Sequence, residues 1–502
     1  MINWRQIFKV LGMLLFIEAG QLLITMCVAW FYHESVWPYV WTIIVSVVLG
    51  MLGSIIGINA GKKIGRRDGY IIVSLVWIVF TLIGTIPFLL TKSVPDFASA
   101  FFEAMSGFTS TGSTIIDNID VLPRGIIFWR SMTQWIGGIG IIFFTLAILP
   151  AFGVGEVKLF AAESTGPLHD KIHPRISVAV KWIGSVYLTL TLTCILSLVV
   201  CGMSVFDAIN ISMTTTATGG FSPHSAFFHD QWNSPAIEYV TTLFMFLSGV
   251  NYTLLYYCLF RASFRRLLKN AELRVYVIIV VLSAFACTLF LTLHNNQGDI
   301  ELSFREALFT VISLQTTTGF ASCDYTVWPQ ILMPILLFLM FAGASSGSTS
   351  GGFKCIRWAI LWNMLRGEFR RILHPRIVAS VKLQGEVIPT SIQKTLLAFI
   401  TLFVGSMFIG AFILILCGVD ANYLEQMPDG TQLLRQDFTE AFSLSLSSLS
   451  NVGPAMGFYG PAHSWAVISP LAKIVCSFLM LIGRLEIFPI LILLTHGFWR
   501  KE

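Results

Sequence analysis

The sequence predicts an all-α integral membrane protein in which two N-terminal membrane helices precede four pseudo-symmetric repeats around one pore. Each repeat is expected to contain a membrane helix, a short pore helix, a filter loop and a second membrane helix. Three observations lead to this prediction: apolar runs recur along the whole chain, basic residues concentrate in the loops of one side, and four loops of the other side share one motif. Of the 502 residues, 55% are hydrophobic and 12% are charged, whereas soluble domains carry about 25% charged residues.

Ten apolar runs approach or exceed the length of about 20 residues that a helix needs to cross the hydrocarbon core. They cover residues 10–32, 37–60, 70–91, 125–150, 177–201, 236–260, 275–293, 329–363, 394–418 and 464–495. We therefore assign two extra membrane helices to residues 1–69 and divide the rest into repeats. These are repeat 1 at 70–172, repeat 2 at 173–273, repeat 3 at 274–390 with a broken second helix, and repeat 4 at 391–502.

The basic residues predict the orientation, because Lys and Arg in short loops beside membrane helices mark the cytoplasmic side. Three basic groups comprise Lys62, Lys63, Arg66 and Arg67; Arg261, Arg265, Arg266, Lys269 and Arg274; and Arg366, Arg370, Arg371 and Arg376. The net charge of +5 does not indicate nucleic acid, because these basic loops are short and lack interleaved aromatic residues. We predict a multi-pass protein of the cell inner membrane with both termini in the cytoplasm.

The long outer loops contain an internal repeat. They carry the segments SAFFEAMSGFTSTGST, DAINISMTTTATGGFS, EALFTVISLQTTTGFA and EAFSLSLSSLSNVGPA. In each segment a Ser, Asp or Glu followed by Ala stands thirteen residues before a glycine. The apolar part is too short to span the membrane, and a single match would mean little. Four matches at one offset indicate a structural repeat, whereas small-residue packing between membrane helices explains only scattered motifs.

Four re-entrant loops on one axis provide a ring of carbonyl oxygens, which can replace the hydration shell of a monovalent cation. Glycine suits such a loop because it adopts backbone conformations that other residues avoid. Each short helix also directs its negative C-terminal end toward the centre. The predicted filter residues are Ser110, Thr111 and Gly112; Thr218, Gly219 and Gly220; Thr317, Thr318 and Gly319; and Asn451, Val452 and Gly453. The offset favours Gly220 as the filter glycine of repeat 2, with Gly219 as the alternative.

Two features interrupt apolar runs. Residues 343–352 read GASSGSTSGG, a composition that disfavours a helix interior, and broken helices at membrane depth mark transport pathways. Arg484 lies in the last run, where a charge is functional, ion-paired or capped by carbonyl oxygens. Glu486, two residues away, is expected to point to another face of the helix and to be a poor partner for Arg484.

The chain resembles the Trk/Ktr/HKT superfamily of cation transporters, and most closely the TrkH/TrkG potassium-uptake subunits. The resemblance rests on SGFTSTGST at 106–114, WIGGIGIIFFTLAILP at 135–150, LSGVNY at 247–252, TTTGFA at 316–321, GASSGSTSGGFK at 343–354 and GRLEIF at 483–488. It implies a channel-like potassium pore, a homodimer with two pores, and a cytosolic nucleotide-binding regulatory subunit of TrkA type.

The resemblance also implies an intramembrane gate below the filter, with Arg484 nearby as a charge that limits conduction. The gate residues are then Gly343, Ser345, Ser346, Gly347, Ser348, Gly351, Gly352 and Lys354. The resemblance implies potassium as the transported ion and no covalently bound cofactor. The chain contains no P-loop, so no nucleotide site of that type is expected.

Two alternatives remain open at this point. An alternating-access or proton-coupled cation symporter also uses broken helices, although four repeats of one orientation favour a parallel pore. The G-x-S-x-G match at Ser345 suggests an intramembrane serine hydrolase, but that motif requires a strand-to-helix turn. Here apolar helical sequence flanks the match on both sides.

Overall fold

A computed structural model describes residues 2–500 apart from 59, 61–64, 148–175, 262, 264–266, 268, 295–297, 377–379, 420–423, 427–431 and 435–437. The predicted boundary between repeats 1 and 2 at residue 172 lies outside the described residues. The same applies to the basic residues Lys62, Lys63, Arg265 and Arg266.

The N-terminal pair consists of α1 (Trp4–Phe31) and α2 (Trp37–Ile56). Small residues let the two backbones approach closely: a Cβ added at Gly12 would lie 2.6 Å from the carbonyl oxygen of Gly50. The connecting turn also contacts the first repeat, since the Glu34 carboxylate accepts hydrogen bonds from the backbone N–H groups of Arg124 (2.6 Å) and Gly125 (2.9 Å). The pair is therefore attached to the helix that starts at Arg124.

From the third helix onward the chain alternates long helices with short ones. The helices are α3 (Arg66–Leu90), α4 (Phe97–Phe108), α5 (Arg124–Ala147), α6 (Ile176–Val200), α7 (Val205–Thr216), α8 (Phe228–Trp232), α9 (Pro235–Ser248), α10 (Tyr252–Arg261), α11 (Ala271–His294), α12 (Ile300–Gln315), α13 (Met333–Ala342), α14 (Cys355–Leu373), α15 (Thr390–Leu416), α16 (Phe438–Ser450), α17 (Pro470–Arg484), α18 (Phe488–Leu493) and α19 (His496–Trp499). Two small antiparallel hairpins pair β1 (Lys382–Leu383) with β2 (Glu386–Val387) and β3 (Leu424–Gln426) with β4 (Gln432–Leu434).

Within the described residues, six helices are long and apolar enough to cross a membrane, or seven if the bent pair α9 and α10 is one span. The sequence predicted ten spans. The other three predicted spans fall on α5, on α13 and α14 separated by a loop, and on α17 and α18 separated by a turn.

Four short helices, α4, α7, α12 and α16, occupy the centre, and these are the segments of the thirteen-residue motif. The alanine that follows the first motif residue is fully buried in each of them: Ala100, Ala208, Ala307 and Ala441. Three of these helices begin at a side-chain cap that satisfies an otherwise unpaired N–H group, provided by Asp96, Ser204 and Asp299. The motif thus specifies a short, buried helix that ends near the centre of the molecule.

Candidate functional site

The four short helices end in the same way. In each, the N–H of the second residue after the C-cap donates to a carbonyl five residues back, as Thr111 does to Ser106 (2.8 Å) and Thr318 does to Ser313 (2.9 Å). The preceding residue then adopts the left-handed conformation of a Schellman motif. These left-handed residues are Ser110, Thr218, Thr317 and Asn451, with φ of 45°, 51°, 57° and 55°. Glycine normally occupies this position, so four non-glycine residues there indicate a constrained site.

The four motif glycines form one closed ring. A Cβ added at Gly112 would lie 2.1 Å from the carbonyl oxygen of Gly219, and one added at Gly220 would lie 2.0 Å from that of Thr318. Likewise, a Cβ at Gly319 would lie 2.1 Å from the Val452 oxygen, and one at Gly453 would lie 2.8 Å from the Thr111 oxygen. Each loop therefore faces the next, and the fourth faces the first.

The backbone distinguishes the two glycines of repeat 2. Gly220 has φ of +79°, close to the values of +90° at Gly112, +80° at Gly319 and +107° at Gly453. Gly219 does not have a positive φ and corresponds in position to Thr111, Thr318 and Val452. Gly220 is thus the structural equivalent of the other ring glycines, as the thirteen-residue offset favoured.

Beyond the glycines the four loops are joined in the same cyclic order. The linking hydrogen bonds run from Ile119 N to Ser225 Oγ (2.7 Å), from Phe228 N to Ala321 O (3.1 Å), from Tyr325 Oη to Ala455 O (3.1 Å) and from Trp465 N to Thr114 O (2.8 Å). A cavity of about 140 Å³ opens at this end, and all four ring glycines line it. The described residues hold no group of three or more His, Cys, Asp or Glu side chains able to bind a metal ion.

Two buried cationic side chains, Arg130 and Lys473, contact the short helix α4 that precedes the loop of repeat 1. Arg130 Nε lies 2.8 Å from Glu103 Oε1, and both side chains are almost fully buried. Glu103 also accepts from the N–H of Ile115 just beyond the ring (3.1 Å). Lys473 donates to Ser99 Oγ at the start of α4 (3.0 Å). These contacts hold the loop of repeat 1 against its own second helix and against repeat 4.

The segment between α13 and α14 lies against the opposite end of the ring. Thr349 Oγ1 donates to the carbonyl of Thr216 (3.0 Å), and Thr218 Oγ1 donates to Thr349 Oγ1 (3.2 Å). The Gly351 N–H donates to Thr317 Oγ1 (2.8 Å). A Cβ on Gly351 would also lie 2.2 Å from the Ser450 carbonyl oxygen. The segment therefore contacts the loops of repeats 2, 3 and 4 directly beneath the ring.

The break between α9 and α10 holds this segment from the side, because the two helices meet at an angle of 108°. The Ser345 N–H donates to the Gly249 carbonyl (3.0 Å), and the Tyr252 N–H donates to the Gly347 carbonyl (3.1 Å). The Asn251 side chain donates to the Ser346 carbonyl (2.7 Å). The LSGVNY sequence at 247–252 is thus the partner of the GASSGSTSGG sequence.

Arg484 is buried next to this segment and is capped by carbonyl oxygens. Its guanidinium donates to the Thr349 carbonyl (2.8 Å) and to the Gly137 carbonyl (3.1 Å). Arg484 therefore ties the segment to α5. Carbonyl capping was one of the arrangements expected for a charge at this depth.

Lys354, the last residue of this segment, belongs to a buried ion cluster. Lys354 Nζ lies 2.6 Å from Glu486 Oε1, and Arg357 Nη2 lies 2.6 Å from Glu486 Oε2. Glu486 and Ile487 have φ of 56° and 64°, which is strained for a β-branched residue. The ion cluster thus joins the start of α14 to an irregular turn in the last crossing.

Replacing Glu486 by glutamine is expected to destabilise the protein strongly, because it leaves the buried Lys354 ammonium without the carboxylate that pairs with it. Removing one member of a buried ion pair costs about 3–5 kcal/mol, so the thermal unfolding midpoint in detergent should fall by several degrees. Glu368→Gln is the matched control, since Glu368 and Arg371 form an exposed pair at 3.6 Å. Equal midpoints for the two variants would contradict a structural role of the cluster.

His224 lines the cavity and links two loops to the start of α7. Its Nδ1 lies 2.7 Å from Asp120 Oδ1, and its Nε2 lies 3.2 Å from Asp207 Oδ1. The hydrogen bond to Asp207 raises the pKa of His224 most, partial burial lowers it, and the Asp120 contacts raise it further. The imidazole therefore bridges the loop after the repeat 1 glycine to the start of α7.

Because the folded-state pKa of His224 is raised, its contribution to stability is fully present below the unfolded value of about 6.5. It is lost as the pH rises through the folded-state pKa. We expect the unfolding midpoint of the protein to fall by about 1–2 °C over that rise. In His224→Asn this pH-dependent fall of the unfolding midpoint should be absent. An unchanged pH profile in His224→Asn would show that the bridge does not depend on the imidazolium charge.

Ser345 lies in a loop between two helices and not on the strand-to-helix turn that a G-x-S-x-G nucleophile requires. Its N–H donates to the Gly249 carbonyl, and its carbonyl accepts from the Ser348 hydroxyl. Among the described residues, no hydrogen bond joins Ser345 to a histidine. The geometry gives no support to a catalytic serine.

A ring of four short helices and their loops, enclosed by long apolar helices, defines a multi-pass membrane protein. A family model described as TrkH, cation transport protein, matches residues 40–499. The Trk system potassium uptake protein TrkH of Escherichia coli is 34% identical over 503 residues, which cover 99% of this chain and 100% of that protein. TrkG from the same species is 32% identical, with 99% of each chain covered.

The crystal structure of the potassium transporter TrkH from Vibrio parahaemolyticus matches with a TM-score of 0.88 and 33% identity, over 99% of this chain and 100% of that one. The chain belongs to the TrkH family of cation transport proteins. The predicted resemblance and the all-α membrane fold are thereby confirmed. A family of transporters contradicts the serine hydrolase alternative.

Sequence reasoning missed the partners that hold the ring and the segment beneath it. Glu486 was judged only as a partner for Arg484, and its actual partners are Lys354 and Arg357. Gln134 and Asn251 were not singled out, although both are buried polar residues. The available signal was a polar side chain inside an apolar run, which at membrane depth usually has a specific partner.

Proposed function

We propose that this protein takes up potassium through a pore whose selectivity filter is the ring of four loops. The observation that carries the proposal is the cyclic contact of Gly112, Gly220, Gly319 and Gly453 with the carbonyl oxygens of the neighbouring loops. The potassium-transport names of the relatives support the choice of ion.

In the proposed filter, each repeat contributes its three residues around one axis. Main-chain oxygens replace the water around a dehydrated potassium ion, and the C-terminal ends of α4, α7, α12 and α16 add favourable negative potential. The filter residues are Ser110, Thr111, Gly112, Thr218, Gly219, Gly220, Thr317, Thr318, Gly319, Asn451, Val452 and Gly453. The differing composition of the four loops suggests a filter less stringent than one of identical segments.

The proposed gate is the segment from Gly343 to Gly352, which lies beneath the filter. Gly343, Ser345, Ser346, Gly347, Ser348, Gly351 and Gly352 form it. Lys354 anchors its C-terminal end through Glu486. Arg484 holds Thr349 in place and puts a positive charge beside the ion path. Conduction then requires that this segment move away from the filter base.

The wider organisation is proposed on the same basis. We propose two extra helices in residues 1–69 and repeats at 70–172, 173–273, 274–390 and 391–502. We further propose a homodimer in the bacterial-type inner membrane, with both termini in the cytoplasm. A cytosolic TrkA-type nucleotide-binding subunit would regulate the gate, and no nucleic acid is involved. The exposed basic residues of α14, such as Arg370 and Arg371, offer a cytoplasmic surface.

Ion flux into liposomes containing the purified protein tests the proposal, with K⁺, Rb⁺, Na⁺ and Li⁺ compared side by side. Uptake that favours K⁺ and Rb⁺ and follows their electrochemical gradient is expected. Uptake that requires a proton gradient would favour the coupled symporter instead. Absence of K⁺ flux in protein that remains folded would contradict the pore.

A further inference from the structure

Two of the four filter loops are supported by a pair of threonine side chains. In repeat 1, Thr109 Oγ1 and Thr111 Oγ1 are 2.8 Å apart, and in repeat 3, Thr316 Oγ1 and Thr318 Oγ1 are also 2.8 Å apart. Thr109 and Thr316 in turn donate to carbonyls of their own pore helices, at 2.6 Å and 2.7 Å. In each of these repeats the residue before the ring glycine is thus fixed to the end of its own pore helix.

Repeat 2 lacks this support. Its residues at the two equivalent positions are Ala217 and Gly219, which carry no hydroxyl group. Two consecutive glycines, Gly219 and Gly220, would also make this the most flexible of the four loops, because glycine has the largest conformational freedom. Some other group must therefore hold the loop if its oxygen is to stay in the ring.

Gln134 of α5 occupies the space of the missing side chain. A Cβ added at Gly219 would lie 2.4 Å from both Cδ and Oε1 of Gln134. The Gln134 Nε2 donates to the Gly219 carbonyl (2.7 Å), and its Oε1 accepts from the Phe221 N–H (3.1 Å). The side chain is fully buried. A single amide therefore spans Gly220 and fixes the backbone on both sides of it.

This contact makes one ring oxygen different from the others. Within the described part of the chain, no hydrogen-bond donor contacts the carbonyls of Thr111, Thr318 or Val452, whereas the Gly219 carbonyl accepts from Gln134. A carbonyl oxygen has two lone pairs, so Gly219 can accept from Gln134 and still face the ring. The amide also fixes where this oxygen lies relative to Gly112.

We propose that Gln134 is a positioning residue for ion selection, which supplies from repeat 1 the filter support that repeat 2 lacks. This inference rests on the proposed function, since it assigns Gln134 to the filter of that pore. A fixed oxygen distinguishes ions by size better than a mobile one, because a mobile one can close around the smaller Na⁺. Loss of the amide should therefore relax selectivity before it abolishes flux.

The first test measures Rb⁺ uptake into liposomes and its competition by K⁺ and Na⁺, for the full chain and for Gln134→Met. Methionine keeps the length of the side chain without its hydrogen bonds. We expect the preference for K⁺ over Na⁺ to fall by about tenfold, the factor that corresponds to one buried hydrogen bond. The matched control is Gln231→Ala on α8, an exposed glutamine, which should leave the preference unchanged. A Gln134→Met preference within twofold of the parent would overturn the inference.

The second test exchanges the support between repeats. Gly219→Thr alone should impair uptake, because the new side chain collides with Gln134. In the Gln134→Ala background the same change should improve the preference for K⁺, because the threonine then fills the vacated space. The effect of Gly219→Thr would then change sign between the two backgrounds, which shows that the two positions are directly coupled. A general loss of stability does not produce such a change of sign. Additive effects would overturn the inference.

These outcomes separate the inference from the proposed function. If Gly319→Ala reduces K⁺ uptake but the Gln134 variants behave like the parent, the pore stands and the role of Gln134 falls. If the parent protein itself shows no preference among alkali ions, the proposed function fails, and the role of Gln134 fails with it.

Discussion

Gly319→Ala is expected to reduce potassium uptake strongly. The added Cβ would lie 2.1 Å from the Val452 carbonyl oxygen and 2.8 Å from Pro454 Cδ, and the backbone at Gly319 has φ of +80°. Neither neighbour is the free end of a flexible side chain, so the loops of repeats 3 and 4 must separate. A cost of about 3 kcal/mol, the upper end for an overpacked site, corresponds to a roughly 100-fold loss of uptake.

Gly202→Ala is the matched control for this prediction. Gly202 also has a positive φ, of +96°, but no atom lies within 4 Å of the position of its added Cβ. Both variants therefore carry the same backbone penalty, and only Gly319→Ala obstructs the ring. Rb⁺ uptake in liposomes, corrected for the amount of folded protein, compares them. Equal uptake by the two variants would mean that the ring is not on the ion path.

Shortening the segment at residues 344–350 is expected to increase potassium flux without changing ion preference. The segment contacts the residues that precede the ring glycines, through Thr349 and Gly351, and it does not include the ring glycines themselves. Its removal should lower the barrier to conduction, and a reduction of about 1.4 kcal/mol gives tenfold faster flux. Unchanged flux in a folded shortened protein would argue against a gate.

Arg484→Gln tests the same element with a single side chain. It removes the charge that caps the Thr349 and Gly137 carbonyls, so flux should rise in the same direction as in the shortened protein. Arg371→Gln is the matched control, because Arg371 is exposed on α14 and pairs only loosely with Glu368. A rise in both arginine variants would point to a general charge effect instead of a local one.

The thirteen-residue offset was sufficient to find the ring, because the same physical requirement acts on each repeat. In each repeat a buried helix ends three or four residues before a glycine with positive φ, and this spacing is visible in the sequence. The offset also favoured Gly220 over Gly219, in agreement with the backbone. By contrast, the left-handed conformation of Ser110, Thr218 and Thr317 was not predictable, since serine and threonine rarely adopt it without tertiary constraint. Asn451 is the exception, because asparagine is enriched in this conformation.

Contacts between distant segments were the part that the sequence did not reveal. Glu486 lies 132 positions from Lys354, and Gln134 lies 85 positions from Gly219. Hydropathy and spacing carry no information about which of several buried polar groups meet. Glu486 is not a partner of Arg484, as the sequence predicted, but the reason differs: the helix ends at Arg484, so Glu486 lies in the turn that follows and not on another helix face.

The most direct test of the ring as a potassium site is crystallographic. Crystals grown in Rb⁺ or Tl⁺ should show anomalous scattering on the axis enclosed by Gly112, Gly220, Gly319 and Gly453, in contact with the carbonyl oxygens of Thr111, Gly219, Thr318 and Val452. If the axis is empty under these conditions, while protein from the same preparation transports potassium, the ions follow another route and the assignment of the filter is wrong.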